Sequence, residues 1–157
     1  MLHGRPEAQH QPNHPFERHT LNVSLPHLDA VADLLIAALG DRLAPGVSDY
    51  MDLFREDGVL ETPYVSEGSP ARWEGRPAIA AFLQTLRGVV RLADFHLIDV
   101  YPAADGATVV LEYEGTVHLE QQGQKFRQRY ISIVRTDHAR ITLWREYTNP
   151  LAAKTAA

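Results

Sequence analysis

Apolar positions recur at the three- and four-residue spacing of helices up to about residue 86. Beyond about residue 94 they recur at the two-residue spacing of strands. Leu28, Val31, Leu34, Leu35 and Ala38 fall on one helical face, with Ser24 placed as an N-cap, Pro26 in the first turn and Gly40 as a stop. A second helix is expected from Ser48, carrying Tyr50, Met51 and Phe54 and ending at Asp57–Gly58; a short strand, Val59–Tyr64, follows. Ser66–Pro77 is rich in Pro and Gly and reads as a loop, and Ile79, Phe82, Leu83 and Leu86 define a third helix over Pro77–Leu86. Strands are then expected at Asp94–Tyr101, Thr108–Leu119, Lys125–Thr136 and Arg140–Tyr147. Turns at Ala104–Gly106, Gln121–Gly123 and Asp137–His138 separate them. Three helices ahead of long hairpin strands predict an α+β domain, with the helices packed on one side of a curved, mostly antiparallel sheet.

This pattern covers residues 24–150. Residues 1–23 are rich in His, Pro, Gln and Asn without a hydrophobic period and are expected to be a flexible arm; 151–157 form a short tail. The irregular spacing of His3, His10, His14 and His19 does not make a metal motif, and no metal or cofactor is expected. A length of 157 residues suits one domain. The net charge of −5, with no cluster of Lys and Arg, argues against nucleic acid or an anionic membrane as partner. The chain has no cysteine, which removes disulfides, thiolate nucleophiles and cysteine zinc sites. The polar start lacks the apolar segment of a secretory signal, and Leu34–Leu39 falls far short of the roughly 20 residues of a membrane span. The chain is therefore expected to be cytoplasmic.

Candidate chemistry concentrates in ITLWREYTNP, Ile141–Pro150. As a strand it puts Trp144 and Glu146 on one face and Arg145 and Tyr147 on the other. A carboxylate beside an aromatic ring on a core-facing side is unusual, because an unpaired buried charge is costly. With a two-residue turn at Asp137–His138, Arg129 is expected across from Glu146 and Ile131 across from Trp144. With Gln122–Gly123 turning the previous hairpin, Gly115 is expected to face Arg129 and Tyr113 to face Ile131. A one-residue bulge would flip these assignments. One reading is an apolar pocket in which Tyr113 and Trp144 stack on a flat ligand, Gly115 leaves room for it, and Glu146 exchanges a proton beside Arg129. Ile131, Tyr64 and Phe54 complete the candidate ligand-binding set. The alternative is that Arg129–Glu146 is a plain cross-strand ion pair and the aromatics are core. Glu112 and Glu114 fall on the face opposite Tyr113, His96 and His118 lack partners at metal spacing, and Trp73 either caps a pocket mouth or anchors its loop.

The segments YMDLFREDGVLETPY, WEGRPAIAAFL, FHLIDVYPAADGATVVLEYEGTVHL, FRQRYISIV and ITLWREYTNP occur in this order. Over roughly Leu28–Pro150 they resemble the SnoaL-like branch of the nuclear transport factor 2-like superfamily. That superfamily includes ketosteroid isomerases, polyketide cyclases, limonene epoxide hydrolases and phenazine-biosynthesis A/B-type proteins. The resemblance implies a cone-shaped α+β barrel, three helices closing a bent sheet around a deep pocket, and a homodimer formed through the outer sheet face. Trp144 and Glu146 fall where the limonene epoxide hydrolases have a Trp and a catalytic Asp. Tyr113 and Gly115 replace the Arg and second Asp of their relay, so it is incomplete. In Glu61-Thr62-Pro63, Thr62 stands where the ketosteroid isomerases have an Asp base, and a threonine cannot shuttle a proton at neutral pH. The nearest local match is to the phenazine A/B type, whose pocket Glu corresponds to Glu146. The implied function is cofactor-independent acid–base assistance to isomerisation, cyclisation or condensation of a small hydrophobic or aromatic molecule. Non-catalytic binding of a small ligand, or a dimerisation module, is the competing class.

Overall fold

A computed structural model describes residues 25–152; the expected Ser24 cap, the arm and most of the C-terminal tail lie outside them. Pro26 opens a 3₁₀ turn, Pro26–Leu28, that runs into helix α1, Asp29–Leu39. Val31, Leu34 and Leu35 are buried, as their spacing predicts, together with Ala32 and Leu39, while Ala38 is half-buried. The helix stops at Gly40, whose φ of 53° suits a residue without Cβ.

The expected second helix does not form. Tyr50–Leu53 is one 3₁₀ turn, capped where the Met51 N–H donates to the Asp49 side chain at 2.8 Å, and strand β1 then covers Phe54–Glu61. The apolar period there lasts a single turn, too short to hold a helix against the pull of sheet pairing. Gly58, read as a helix stop, is instead the close-approach residue of an irregular strand. The pairing of β1 shifts register between Phe54 and Val59, and a Cβ at position 58 would lie 2.9 Å from the Arg55 carbonyl and 3.1 Å from that of Ile141.

The loop after β1 contains a short edge strand, β2, Arg72–Glu74, and leads into α2, Arg76–Thr85, with Pro77 in its first turn. Four long strands follow: β3 Val90–Pro102, β4 Thr108–Leu119, β5 Gln124–Asp137 and β6 Arg140–Thr148. They build one six-stranded sheet in the order β2-β1-β6-β5-β4-β3, parallel at β1–β6 and antiparallel elsewhere. Register shifts between Ala93 and His96 and between Leu97 and Asp99, with Asp94 at φ 53°, mark bulges in β3, the device that bends a sheet around a core. The chain is thus an α+β domain with a mixed sheet and, among the described residues, two α-helices rather than three. No helix among the described residues is long and apolar enough to cross a membrane.

The β5–β6 turn falls at His138–Ala139, with φ of 48° and 57°, in place of the expected Asp137–His138. Asp137 therefore pairs with Arg140, and a further shift between Arg135 and Thr136 sets Val134 opposite Trp144, Ser132 opposite Glu146 and Ile131 opposite Tyr147. On the other side of β5, Tyr130 faces Tyr113, Gln128 faces Gly115 and Arg129 faces Glu114. Relative to the sequence reading, β5 is turned over: Arg129 and Ile131 lie on the outer face, away from Trp144 and Glu146. The facing of Tyr113, Trp144 and Glu146 is unchanged, because β4 and β6 keep their sides.

Candidate functional site

The inner face of the sheet carries a small polar chain set in apolar surroundings. Trp144, Tyr113 and Ser132 are at most 1% exposed. The Trp144 indole N–H donates to Ser132 Oγ at 2.9 Å. Since indole can only donate, Ser132 is left to direct its own hydrogen at the Tyr113 hydroxyl, 2.9 Å away. Tyr113 in turn donates to Glu146 Oε2 at 2.6 Å. Three donors thus point one way, toward a carboxylate, and each polarises the next.

Rings hold this chain in place. Phe54 stacks on Trp144 with centroids 6.0 Å apart, Tyr50 tilts against it at 5.6 Å, and Tyr113 stacks on Tyr130 at 4.9 Å with planes 8° apart. Beyond them lies a cavity of about 260 Å³ between the sheet and both α-helices. Tyr50, Phe95, Gln128, Tyr130 and Trp144 line it; among the described residues Glu146 is its one charged wall residue, and no Lys, Arg or His lines it.

Glu146 is half-buried and lines this cavity, and among the described residues Tyr113 is the sole hydrogen-bond partner of its carboxyl. Burial pushes its carboxyl up to about 7, while the Tyr113 hydrogen bond pulls the other way. The same burial, reinforced by the charge of Glu146, raises Tyr50, Tyr113 and Tyr130, so all three phenols stay protonated donors at neutral pH. Among the described residues the Tyr50 and Tyr130 hydroxyls make no hydrogen bond, and both residues line the cavity. Gln128 donates its amide to the Arg129 carbonyl at 2.8 Å, which leaves its side-chain oxygen free to accept. A weak acid, two unengaged phenolic donors and aromatic walls therefore share one small enclosure. Among the described residues no group of three His, Asp or Glu side chains could hold a metal.

The sequence-predicted residues separate into three places. Glu146 and Trp144 line the cavity, and Tyr113 holds Glu146 from behind. Phe54 is 1% exposed behind Trp144, and Tyr64 sits outside, 60% exposed, edge-on to Tyr147. Arg129 and Ile131 occupy the outer sheet face, where Arg129 reaches Glu112 at 3.4 Å and Glu114 at 3.5 Å. Glu114 also meets Arg127 at 2.6 Å and His96 at 2.9 Å. Arg145 is held by Glu61, which also pairs with Arg72. Gly115 makes room for a neighbouring side chain rather than directly for a ligand: a Cβ there would lie 2.6 Å from the Phe95 ring, which itself lines the cavity.

Tyr50, Gln128, Tyr130 and Ser132 were not among the expected residues. The last three share a face of β5 with Phe126 and Val134, while Arg127, Arg129 and Arg135 alternate with them. That row of three arginines was the available signal, since charged side chains on a strand mark the face turned to water.

Residues 32–144 match the family described as the SnoaL-like domain. The chain is 37% identical over 114 residues to the YesE protein of Bacillus subtilis (strain 168), covering 73% of this chain and 78% of that one. It is 36% identical over 104 residues to a PhzA/B-like protein of Pseudomonas aeruginosa, covering 65% and 72% of the two chains. A crystal structure of a Bacillus subtilis protein superposes with a TM-score of 0.65 at 32% identity, over 83% of this chain and 94% of that one. The chain belongs to the SnoaL-like domain family and has the nuclear transport factor 2-like fold.

Proposed function

We propose that this protein is a cofactor-independent acid–base catalyst acting on a small, uncharged, hydrophobic or aromatic molecule, with Glu146 as the group that takes and returns a proton. One observation carries the reading: a carboxyl that burial pushes up to about 7 lines an aromatic cavity to which the described residues bring no cation. Such a group is poised between base and acid at neutral pH, where general acid–base catalysis is most efficient. The fitting reaction is isomerisation next to a carbonyl. The Glu146 carboxylate removes a proton from the carbon beside the carbonyl, and the bond electrons move into an enolate. The phenols of Tyr50 and Tyr130 donate hydrogen bonds to the enolate oxygen. The protonated Glu146 then delivers the proton to a second carbon, leaving the formula unchanged. Tyr113 fixes the carboxyl, and Trp144 and Phe95 grip the flat body of the substrate.

A substrate-independent assay tests this. Cyclic ketones and unsaturated ketones incubated in D₂O exchange their acidic C–H for deuterium when a base of suitable pKa reaches them. The wild type should accelerate exchange for at least one such ketone, and Glu146→Gln should abolish it while holding ligand affinity within about tenfold. Exchange that survives Glu146→Gln rejects the assignment. Binding without exchange by the wild type favours the competing reading, a non-catalytic carrier, for which the apolar enclosure alone would suffice.

The outer sheet face supports a homodimer as part of the same reading. Exposed Tyr101 and Ile131 share it with the ion cluster of Glu112, Glu114, Arg127 and Arg129, a mix of apolar and paired charged groups that suits an interface. Light scattering should return twice the chain mass, and a monomer at micromolar concentration would remove the dimer from the proposal.

A further inference from the structure

A second, larger concavity of about 810 Å³ lies between the loop that follows β1 and the exposed side of α2. It shares Thr62 and Phe82 with the inner cavity, so these side chains form the partition between the two spaces. Phe82 is held upright by Trp73, whose ring stacks on it at 3.6 Å with planes 13° apart. The outer groove presents hydroxyls from Ser66, Ser69 and Thr85 beside the rings of Tyr64 and Trp73. Thr85 donates its hydrogen to the Phe82 carbonyl at 2.6 Å and so offers only lone pairs outward. In a chain with 22% charged residues, none of the described charged residues lines this surface groove. Aromatic faces flanked by hydroxyls, with no ion to desolvate, suit a neutral and hydroxylated group such as a sugar ring.

We infer that the outer groove is a second subsite, which takes the uncharged, hydroxylated half of a two-part ligand whose flat hydrophobic half enters the inner cavity past Phe82 and Thr62. This rests on the inner cavity being the ligand site, and it adds that the natural ligand carries a polar but uncharged appendage. Anionic appendages such as phosphate or sulfate are disfavoured, because no cation among the described residues lines either space.

The test compares three probes on the full chain by calorimetry: 2-naphthol, 2-naphthyl β-glucoside and 2-naphthyl phosphate. The glucoside should bind at least tenfold more tightly than naphthol, and the phosphate more weakly than the glucoside. Trp73→Ala should remove the glucoside's advantage while leaving naphthol affinity within threefold. Ser69→Ala, exposed and incidental to the fold, should lower glucoside affinity alone, which guards against a Trp73 variant that fails to fold. A glucoside no tighter than naphthol, including failure of both to bind, overturns the subsite. So does an advantage indifferent to both variants, or cross-linking that places residues 1–24 in the groove of the free protein. The catalytic reading fails separately, when naphthol binds without perturbing the Glu146 carboxyl signal.

Discussion

Replacing Glu146 by Gln should make the protein more stable once the pH rises above about 4.5, with the full gap reached above about 7. The carboxyl titrates near 4.5 in an unfolded chain and about 7 in the folded one. Between those values the folded state holds the proton more tightly than the unfolded state, so the stability contributed by the neutral carboxyl is complete below the lower value. It declines as pH rises and is gone above the upper one. At about 1.4 kcal/mol per pKa unit the full span is about 3 kcal/mol; the opening toward the cavity lowers the expected loss to about 2 kcal/mol. Gln keeps the shape and can still accept from Tyr113, but it never ionises. The variant and the wild type should therefore match at pH 4.5. At pH 8.5 the variant should exceed the wild type by about 2 kcal/mol in urea unfolding, or roughly 4–8 °C in Tm for a chain of this length. Taking the difference between the two proteins cancels the surface carboxylates Asp57, Glu61 and Glu114, which ion pairing and hydrogen bonds hold below their usual range. A gap that is the same at both pH values would refute the reasoning, since it would mean that Glu146 titrates as an ordinary hydrated acid.

Tyr113→Phe removes the hydrogen bond that lowers the Glu146 pKa, so the carboxyl should titrate at higher pH still, read by carbon NMR; a downward shift would contradict the relay. Ser132→Ala strips the buried Trp144 indole of its acceptor and should cost about 1–3 kcal/mol in urea unfolding. Arg129→Ala, on the outer face and 61% exposed at its side chain, should cost less than about 1 kcal/mol and leave the Glu146 titration unmoved. Ala139→Gly relieves a left-handed turn position at φ 57° and should stabilise by about 0.5 kcal/mol in the same assay.

The alternation in β4 was legible because that strand buries one face over its full length; in β6 it holds only from Trp144 onward, since Ile141 and Trp144 are both buried three residues apart. Val109, Leu111, Tyr113 and Val117 keep an unbroken two-residue period, as do Trp144 and Glu146. Strand β5 misled because its register depends on where the turns fall. A hairpin turn at His138–Ala139 needs two residues at positive φ, and nothing in a His-Ala pair advertises that conformation the way Asn-Gly would. The bulge at Arg135 and Thr136 then added the one-residue slip that reverses a face. Helix α2 was legible from its own period, whereas Tyr50 and Phe54 were not placed, because one apolar turn followed by a strand has the same spacing as the start of a helix. The candidate site shows both outcomes. Glu146 and Trp144 were visible as an acid beside a ring on a core face. Ser132 and Tyr130 join them only through pairing, which local sequence does not encode.

The central claim is that Glu146 is a proton-exchanging acid tuned to neutrality by an apolar pocket. Its most direct test is the titration of the Glu146 side-chain carboxyl by carbon NMR, assigned by loss of the signal in Glu146→Gln. The account predicts a midpoint near 7. A midpoint near 4.5, the ordinary value for this side chain, would contradict it.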